Sequence, residues 1–139
     1  MTSEFSVAVH ALVFLNHKRA IVSSETLSEN ICTNPARVRK IMAQLKKANL
    51  IETREGADGG YLFTADPAAV TLDEVGKAFD AQYVCASWHS GNSDLPCLIA
   101  SGMAGVMDDI YKQLNHECAQ KLKTITIADI DFRIFGKQT

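Results

Sequence analysis

The sequence predicts a mainly α fold that carries one small β-hairpin and closes on a long helix. Three observations lead there. Apolar residues recur at helical spacing in three successive N-terminal segments, each with its own start signal. A glycine-rich turn flanked by two short β-prone runs follows them. From Cys97 to Lys123 helical periodicity then continues without a proline.

In the first segment, Phe5 to His17, residues Phe5, Ala8, Leu12 and Leu15 fall on one helical face, and Val9 and Phe14 widen it. A first helix buried on one side is expected. Ser23 or Ser24 suits the N-cap of a short second helix, with Glu25 well placed near the positive end of its dipole. Leu27 and Ile31 form its inner face, and it should stop near Cys32 and Thr33. Asn34–Pro35 starts a third helix, an Asn cap followed by proline at the first helical position. This helix buries Val38, Ile41, Met42 and Leu45, leaving Arg37, Lys40, Gln44 and Lys47 on another face. Asn49 can take the left-handed conformation that ends it.

Leu50–Arg54 and Tyr61–Thr64 are then the strands of a hairpin around Gly56–Gly60, whose three glycines permit a tight tip able to approach another molecule. Three helices and a hairpin in this order predict a winged helix-turn-helix domain over residues 1–66, its third helix placed to enter a major groove. Residues 67–139 are expected to form one compact unit with it. After Asp66–Pro67, Thr71-x-x-Glu74 reads as a capping box opening a short helix to Phe79, with Leu72, Val75 and Phe79 inward. Residues 80–96 form a polar loop holding the single tryptophan, Trp88. On the long helix, Ile99, Met103, Val106, Ile110 and Leu114 make one stripe, and Met107, Tyr111 and Cys118 an adjacent one. A small domain needs one packing surface, so the other stripe is expected to face a second chain. The terminal run from Thr126, TIADIDFRIFG, carries no assigned structure.

At 139 residues, 47% hydrophobic and 22% charged, the chain suits one folded unit and excludes a disordered tail. No apolar run nears the roughly 18–20 residues of a membrane helix. The first residues lack a signal-peptide pattern, so a cytoplasmic protein without a membrane partner is expected. The net charge of −2 excludes a uniformly basic nucleic-acid coat but hides a gradient. Residues 1–64 carry eight Lys/Arg against six Asp/Glu, and residues 65–139 six against ten. The positive surplus peaks in NPARVRKIMAQLKKA, where Arg37, Arg39, Lys40, Lys46 and Lys47 meet no acid. Alone, such a cluster is either a solvated face or a polyanion contact; its place on the third helix favours the contact. An enzyme is not expected: there is no metal triad or nucleophile elbow, and the glycines lie in a hairpin, where no phosphate loop forms.

The runs NPARVRKIMAQLKKANLI, GADGGYLF and PAAVTLDEVGKAFD resemble the Rrf2 family of bacterial winged-helix transcription regulators. That family includes the iron–sulfur-cluster regulator, the cysteine-metabolism repressor and the nitric-oxide-sensitive repressor. Gly56-x-x-Gly59-Gly60-Tyr61 followed by Thr71–Leu72 is the most specific part, and the match spans well over half the chain. The resemblance implies a homodimer with crossed long helices, its interface drawn from Ile99, Met103, Val106, Met107, Ile110, Tyr111 and Leu114. Such a dimer reads a palindromic double-stranded DNA operator with half-sites one turn apart. Arg37 and Lys40 would approach base edges or phosphates, with Asn34 and Gln44 beside them. Arg39, Lys46 and Lys47 suit phosphates or plain solvation, and Ser23 and Ser24 could offer hydroxyls and amides to a phosphate. Arg54, Gly59, Gly60 and Tyr61 would bring the wing to the minor groove.

The sequence departs from the family in two places. Arginines often flank the wing motif, where Glu55 and Leu62 stand here, and tyrosine often occupies position 37. The implied function is a DNA-binding regulator, expected to be a repressor, under thiol-redox or small-molecule control. Glu55 and the absent wing arginine motivate an alternative, a winged-helix protein-interaction module that has lost DNA binding.

Cluster-binding relatives place three close cysteines in the loop before the long helix. Here only Cys85 and Cys97 lie there, with His89 between them, so no iron–sulfur cluster and no other cofactor or metal is expected. Cys97 at a helix N-terminus would be a reactive thiol and Cys85 its resolving partner; two ordinary reduced cysteines are the competing reading. Cys32 and Cys118 are expected to pack in the core or an interface. Trp88, with Tyr83 nearby, could line a small-molecule pocket or simply be packed, and His10, His17 and His116 show no metal spacing.

Overall fold

A computed structural model of the chain describes residues 3–136. Its elements are α1 (Ser3–Lys18), α2 (Ser24–Ile31), α3 (Pro35–Lys47), β1 (Glu52–Arg54), β2 (Gly60–Leu62), α4 (Leu72–Lys77), α5 (Leu98–Leu122) and α6 (Ile127–Phe135). This is a winged helix-turn-helix followed by a long C-terminal helix.

The first helix is more deeply placed than a one-sided stripe implies. Besides Phe5, Ala8, Leu12 and Leu15, it buries Val7, Ala11, Val13 and Asn16, which at about 100° per residue widen the buried arc to about two-thirds of the circumference and leave Ser6, His10 and His17 on the exposed side. It packs against α2, α3, α4 and α6. Ala8 and Ala11 are fully buried, and their small side chains let neighbouring backbones come close.

Local signals set the helix ends. Ser23 caps α2, its hydroxyl accepting from the Thr26 amide at 3.1 Å, and Asn34 caps α3 by accepting from the Arg37 amide at 3.1 Å. Asn49 takes the left-handed conformation (φ 61°). The Leu50 amide then donates to the Leu45 carbonyl and the Asn49 amide to that of Lys46, closing α3 in a Schellman motif. That capture shortens the hairpin. Leu50 and Ile51 turn into the core, and the ladder holds three pairs: Glu52 with Leu62, Thr53 with Tyr61 and Arg54 with Gly60. A third partner comes from outside the hairpin: Val22 and Tyr61 exchange two backbone hydrogen bonds, at 2.9 and 2.8 Å.

Further on, α4 stops at Lys77, two residues before Phe79, and Phe79 is half-buried beyond its end. Thr71 accepts from the Glu74 amide at 3.2 Å, but the reciprocal capping box forms at α6. There Thr126 accepts from the Asp129 amide and Asp129 accepts from the Thr126 amide. The terminal run is therefore a helix, tied to α1 by Asn16 donating to Asp131 at 2.8 Å and by His17 stacked on Phe135 at 3.8 Å. One core cluster runs from Phe5 to Ile127.

Two expectations need correction. Cys32 does not pack in the core: it is exposed, with φ 63°, at the end of α2 in the turn of the helix-turn-helix. The turn needs a left-handed residue there, and only glycine adopts that conformation freely. Trp88 is not packed in the fold, and it lines a different hollow from the one Tyr83 lines. Trp88 is 76% exposed, whereas Tyr83 is buried with its ring edge-on to Phe5 at 5.9 Å.

Cys32→Gly should raise stability by about 0.5–1 kcal/mol, the relief of the left-handed strain less the entropy of a freer unfolded chain. Urea unfolding should show a higher midpoint at unchanged slope.

Candidate nucleic-acid interface

The third helix positions the basic side chains. Its apolar residues Val38, Ile41, Met42 and Leu45 are buried, which turns Lys40, Gln44 and Lys47 outward, with Ala36 and Ala43 small between them. Lys40 and Lys47 form no salt bridge among the described residues. Two arginines are engaged within the fold. The half-buried Arg37 donates through Nη2 to the Ser3 hydroxyl at the start of α1. Arg39 lies 4.0 Å from Glu25 of α2, both exposed, a pair that contributes little to stability.

Ser23 and Asn34 spend side-chain oxygens on their caps, and Ser24 donates to Glu25 at 3.3 Å. Their remaining capacity to meet a phosphate lies in the helix N-terminal amides and partly exposed hydroxyls. Ser3 and Val22 were not singled out by sequence; neither carries a local signal, since each matters only through a partner distant in the chain.

On the hairpin side, Gly60 lies flat against Val22. A Cβ there would sit 2.3 Å from the Val22 carbonyl oxygen, so only glycine lets β2 reach this residue. Tyr61 is half-buried against the core; burial pushes its phenol above the ordinary value, with Glu25 adding to the rise and Arg39 opposing it. At the wing, Arg54 shares the exposed surface with Glu52, Glu55 and Asp58, so this lobe is net acidic where α3 is basic.

The long helix α5 buries none of its residues fully. Ile99, Met103, Val106, Ile110 and Leu114 are all exposed, between 37% and 70%, and so is Leu98 at 86%. Met107, Tyr111 and Cys118 are half-covered by the chain itself. The two stripes therefore differ: one faces the domain and the other has no cover among the described residues.

All four cysteines are free thiols, Cys118 half-buried and the others exposed. Cys97 is the N-cap of α5, and the backbone amides of Ala100 and Ile99 pull its thiol below the ordinary cysteine value. His89 is held by Asp108 at 2.8 Å. Among the described residues no three His, Cys, Asp or Glu side chains are grouped to hold a metal ion. No helix among the described residues is long and apolar enough to cross a membrane.

Comparison with known proteins matches this architecture. The model of the Rrf2 family, described as iron-dependent transcriptional regulators, matches residues 1–131. YwnA of Bacillus subtilis, named as a candidate HTH-type transcriptional regulator, is 27% identical over 97% of this chain and 99% of its own length. Among solved structures, a candidate transcriptional regulator from Lactobacillus plantarum superposes with a TM-score of 0.82 at 22% identity, over 96% of this chain and 91% of that one. IscR of T. potens gives 0.73 at 17% identity, covering 100% and 90% of the two chains. With the family model spanning all but the C-terminal end, the chain belongs to the Rrf2 family of transcriptional regulators.

Proposed function

We propose that this regulator binds a palindromic DNA operator as a homodimer and acts as a repressor. The observation that carries the reading is the outward face of α3, where Lys40, Gln44 and Lys47 stand exposed on a helix whose opposite side is locked in the core. A helix fixed in that way presents its polar side chains in one orientation, as major-groove reading requires. Arg37, anchored to Ser3, extends the same face, and Arg39 and Lys46 flank it beside phosphates. The wing contributes position more than charge, since Glu52, Glu55 and Asp58 outnumber Arg54 there. The alternative, a module without DNA affinity, gains only from that acidic wing; the basic helix outweighs it.

The uncovered stripe of α5 supports the dimer. A row of five large apolar residues on one helix is more than a monomer leaves in water, and two copies crossing along it would bury both rows. Two heads held by one axis then suit a two-fold operator. For control, we favour a thiol response at Cys97 over a cluster, because the helix amides at Cys97 favour its thiolate and the loop brings two cysteines where cluster-binding relatives bring three.

Gel-shift titrations test the reading directly: an operator recovered from a binding selection should be retarded by the native chain. Lys40→Ala and Lys47→Ala should each weaken binding and reduce the slope of log affinity against log salt by about 1. Unchanged slopes in both variants would remove these lysines from the interface. Val106→Glu and Ile110→Glu should convert the dimer to a folded monomer in sedimentation and abolish high-affinity retardation. Under limiting iodoacetamide, Cys97 should alkylate before Cys32 and Cys85. Its rate should rise with pH below the ordinary cysteine range, because the amides of Ala100 and Ile99 favour its thiolate; peptide mass spectrometry reads the order.

A further inference from the structure

Behind α5, on the side away from the apolar stripe, the loop after α4 and the helix line an open cavity of about 710 Å³. That volume lies within the range of small-molecule sites. Two ties hold the loop over it. Asn115 of α5 accepts from the Val84 amide and donates back to the Val84 carbonyl, with Nδ2 2.5 Å from the oxygen. Seven residues earlier on the helix, Asp108 holds His89. Val84, His89, Asp108 and Asn115 all line the cavity, so both ties lie in its walls.

The charges on its walls discriminate between ligand classes. Asp73, buried, is engaged by Lys77 at 3.2 Å and by the Tyr83 hydroxyl at 3.5 Å. Asp108 is engaged by His89. Two charged lining residues remain without a salt bridge among the described residues, and their signs are opposite: Asp80, just beyond α4, and Lys112 on α5. One free carboxylate and one free ammonium on walls from different elements match a ligand carrying one of each. We propose that this cavity binds a small zwitterion, of the free amino acid or short unblocked peptide class, with its ammonium toward Asp80 and its carboxylate toward Lys112.

The site survives dimerisation. At about 100° per residue, Asp108, Lys112 and Asn115 lie roughly 170° around α5 from the stripe of Ile99 to Leu114, so pairing along that stripe leaves the cavity open. The occupant also has a route to the heads. Asp73 and Lys77 belong to α4, which packs on α1, and Tyr83 sits between Asp73 and Phe5 of α1. The proposal deepens the regulator reading and rests on it only for the consequence to DNA binding.

Isothermal titration calorimetry on the full chain without DNA tests the site. Free L-amino acids and unblocked di- and tripeptides are titrated in turn, and whichever set binds saturably identifies the source. Blocking either end of the best binder, by N-acetylation or by C-terminal amidation, should weaken it about tenfold, as should Asp80→Asn or Lys112→Gln. Asparagine tolerates the left-handed backbone of Asp80 (φ 47°), and Lys112 is exposed, so neither variant strains the fold. Absence of saturable binding by both sets at millimolar concentration overturns the proposal. So does equal affinity for the blocked forms or in the double variant. A gel shift run in parallel separates the two readings: zwitterion binding by a protein that retards no DNA retains the site and rejects the regulator's DNA role.

Discussion

The fold depends on the burial of α1. A helix buried over about two-thirds of its circumference needs more than one packing surface, and α2, α3, α4 and α6 supply them. Ala8 and Ala11, with no exposed surface, set how near those neighbours come, and a larger residue at either place would force them apart. Because α3 is one of the neighbours, the rotation of its basic face is fixed by apolar packing around α1, through Val38, Ile41, Met42 and Leu45. The direction of the charge toward a ligand is therefore a property of the core.

Most of this was legible because it is local. Asn34–Pro35 starts α3 and Asn49 ends it as their chemistry dictates, and four apolar residues at helical spacing define its buried side. The terminal helix was also written in the chain: Thr126-x-x-Asp129 has the same form as the signal at Thr71, and Ile127, Ile130 and Ile134 repeat at helical spacing. What sequence did not carry was anything that closes over distance. Val22 pairs with Tyr61, Arg37 reaches Ser3, Asn115 clasps Val84 and Asp131 receives Asn16; each partner alone looks unremarkable. Cys32 shows a different limit. Its thiol invited an argument from chemistry, while its position is set by the backbone geometry of a turn.

Charge follows the same division. A chain with net −2 carries its positive surplus on one helix because the remaining surface is mixed or acidic, including the wing. Opposite signs on adjacent lobes would orient an approaching polyanion, drawing it to α3 and away from Glu55 and Asp58. At the other end of the molecule, α5 separates two environments. Its apolar side is suited to another protein surface, and its polar side closes a cavity with charges of both signs.

The Val22–Tyr61 bridge has a mechanical meaning. It stitches the hairpin to the residue before the Ser23 cap, so wing and helix-turn-helix share one rigid frame and neither can swing without breaking paired backbone bonds. In a two-headed assembly built on such frames, the grip of each head is constant, and the adjustable quantity is the separation and tilt between heads. A signal arriving along α5 would then work like a hand on callipers, changing the gauge of the instrument while its tips keep their shape.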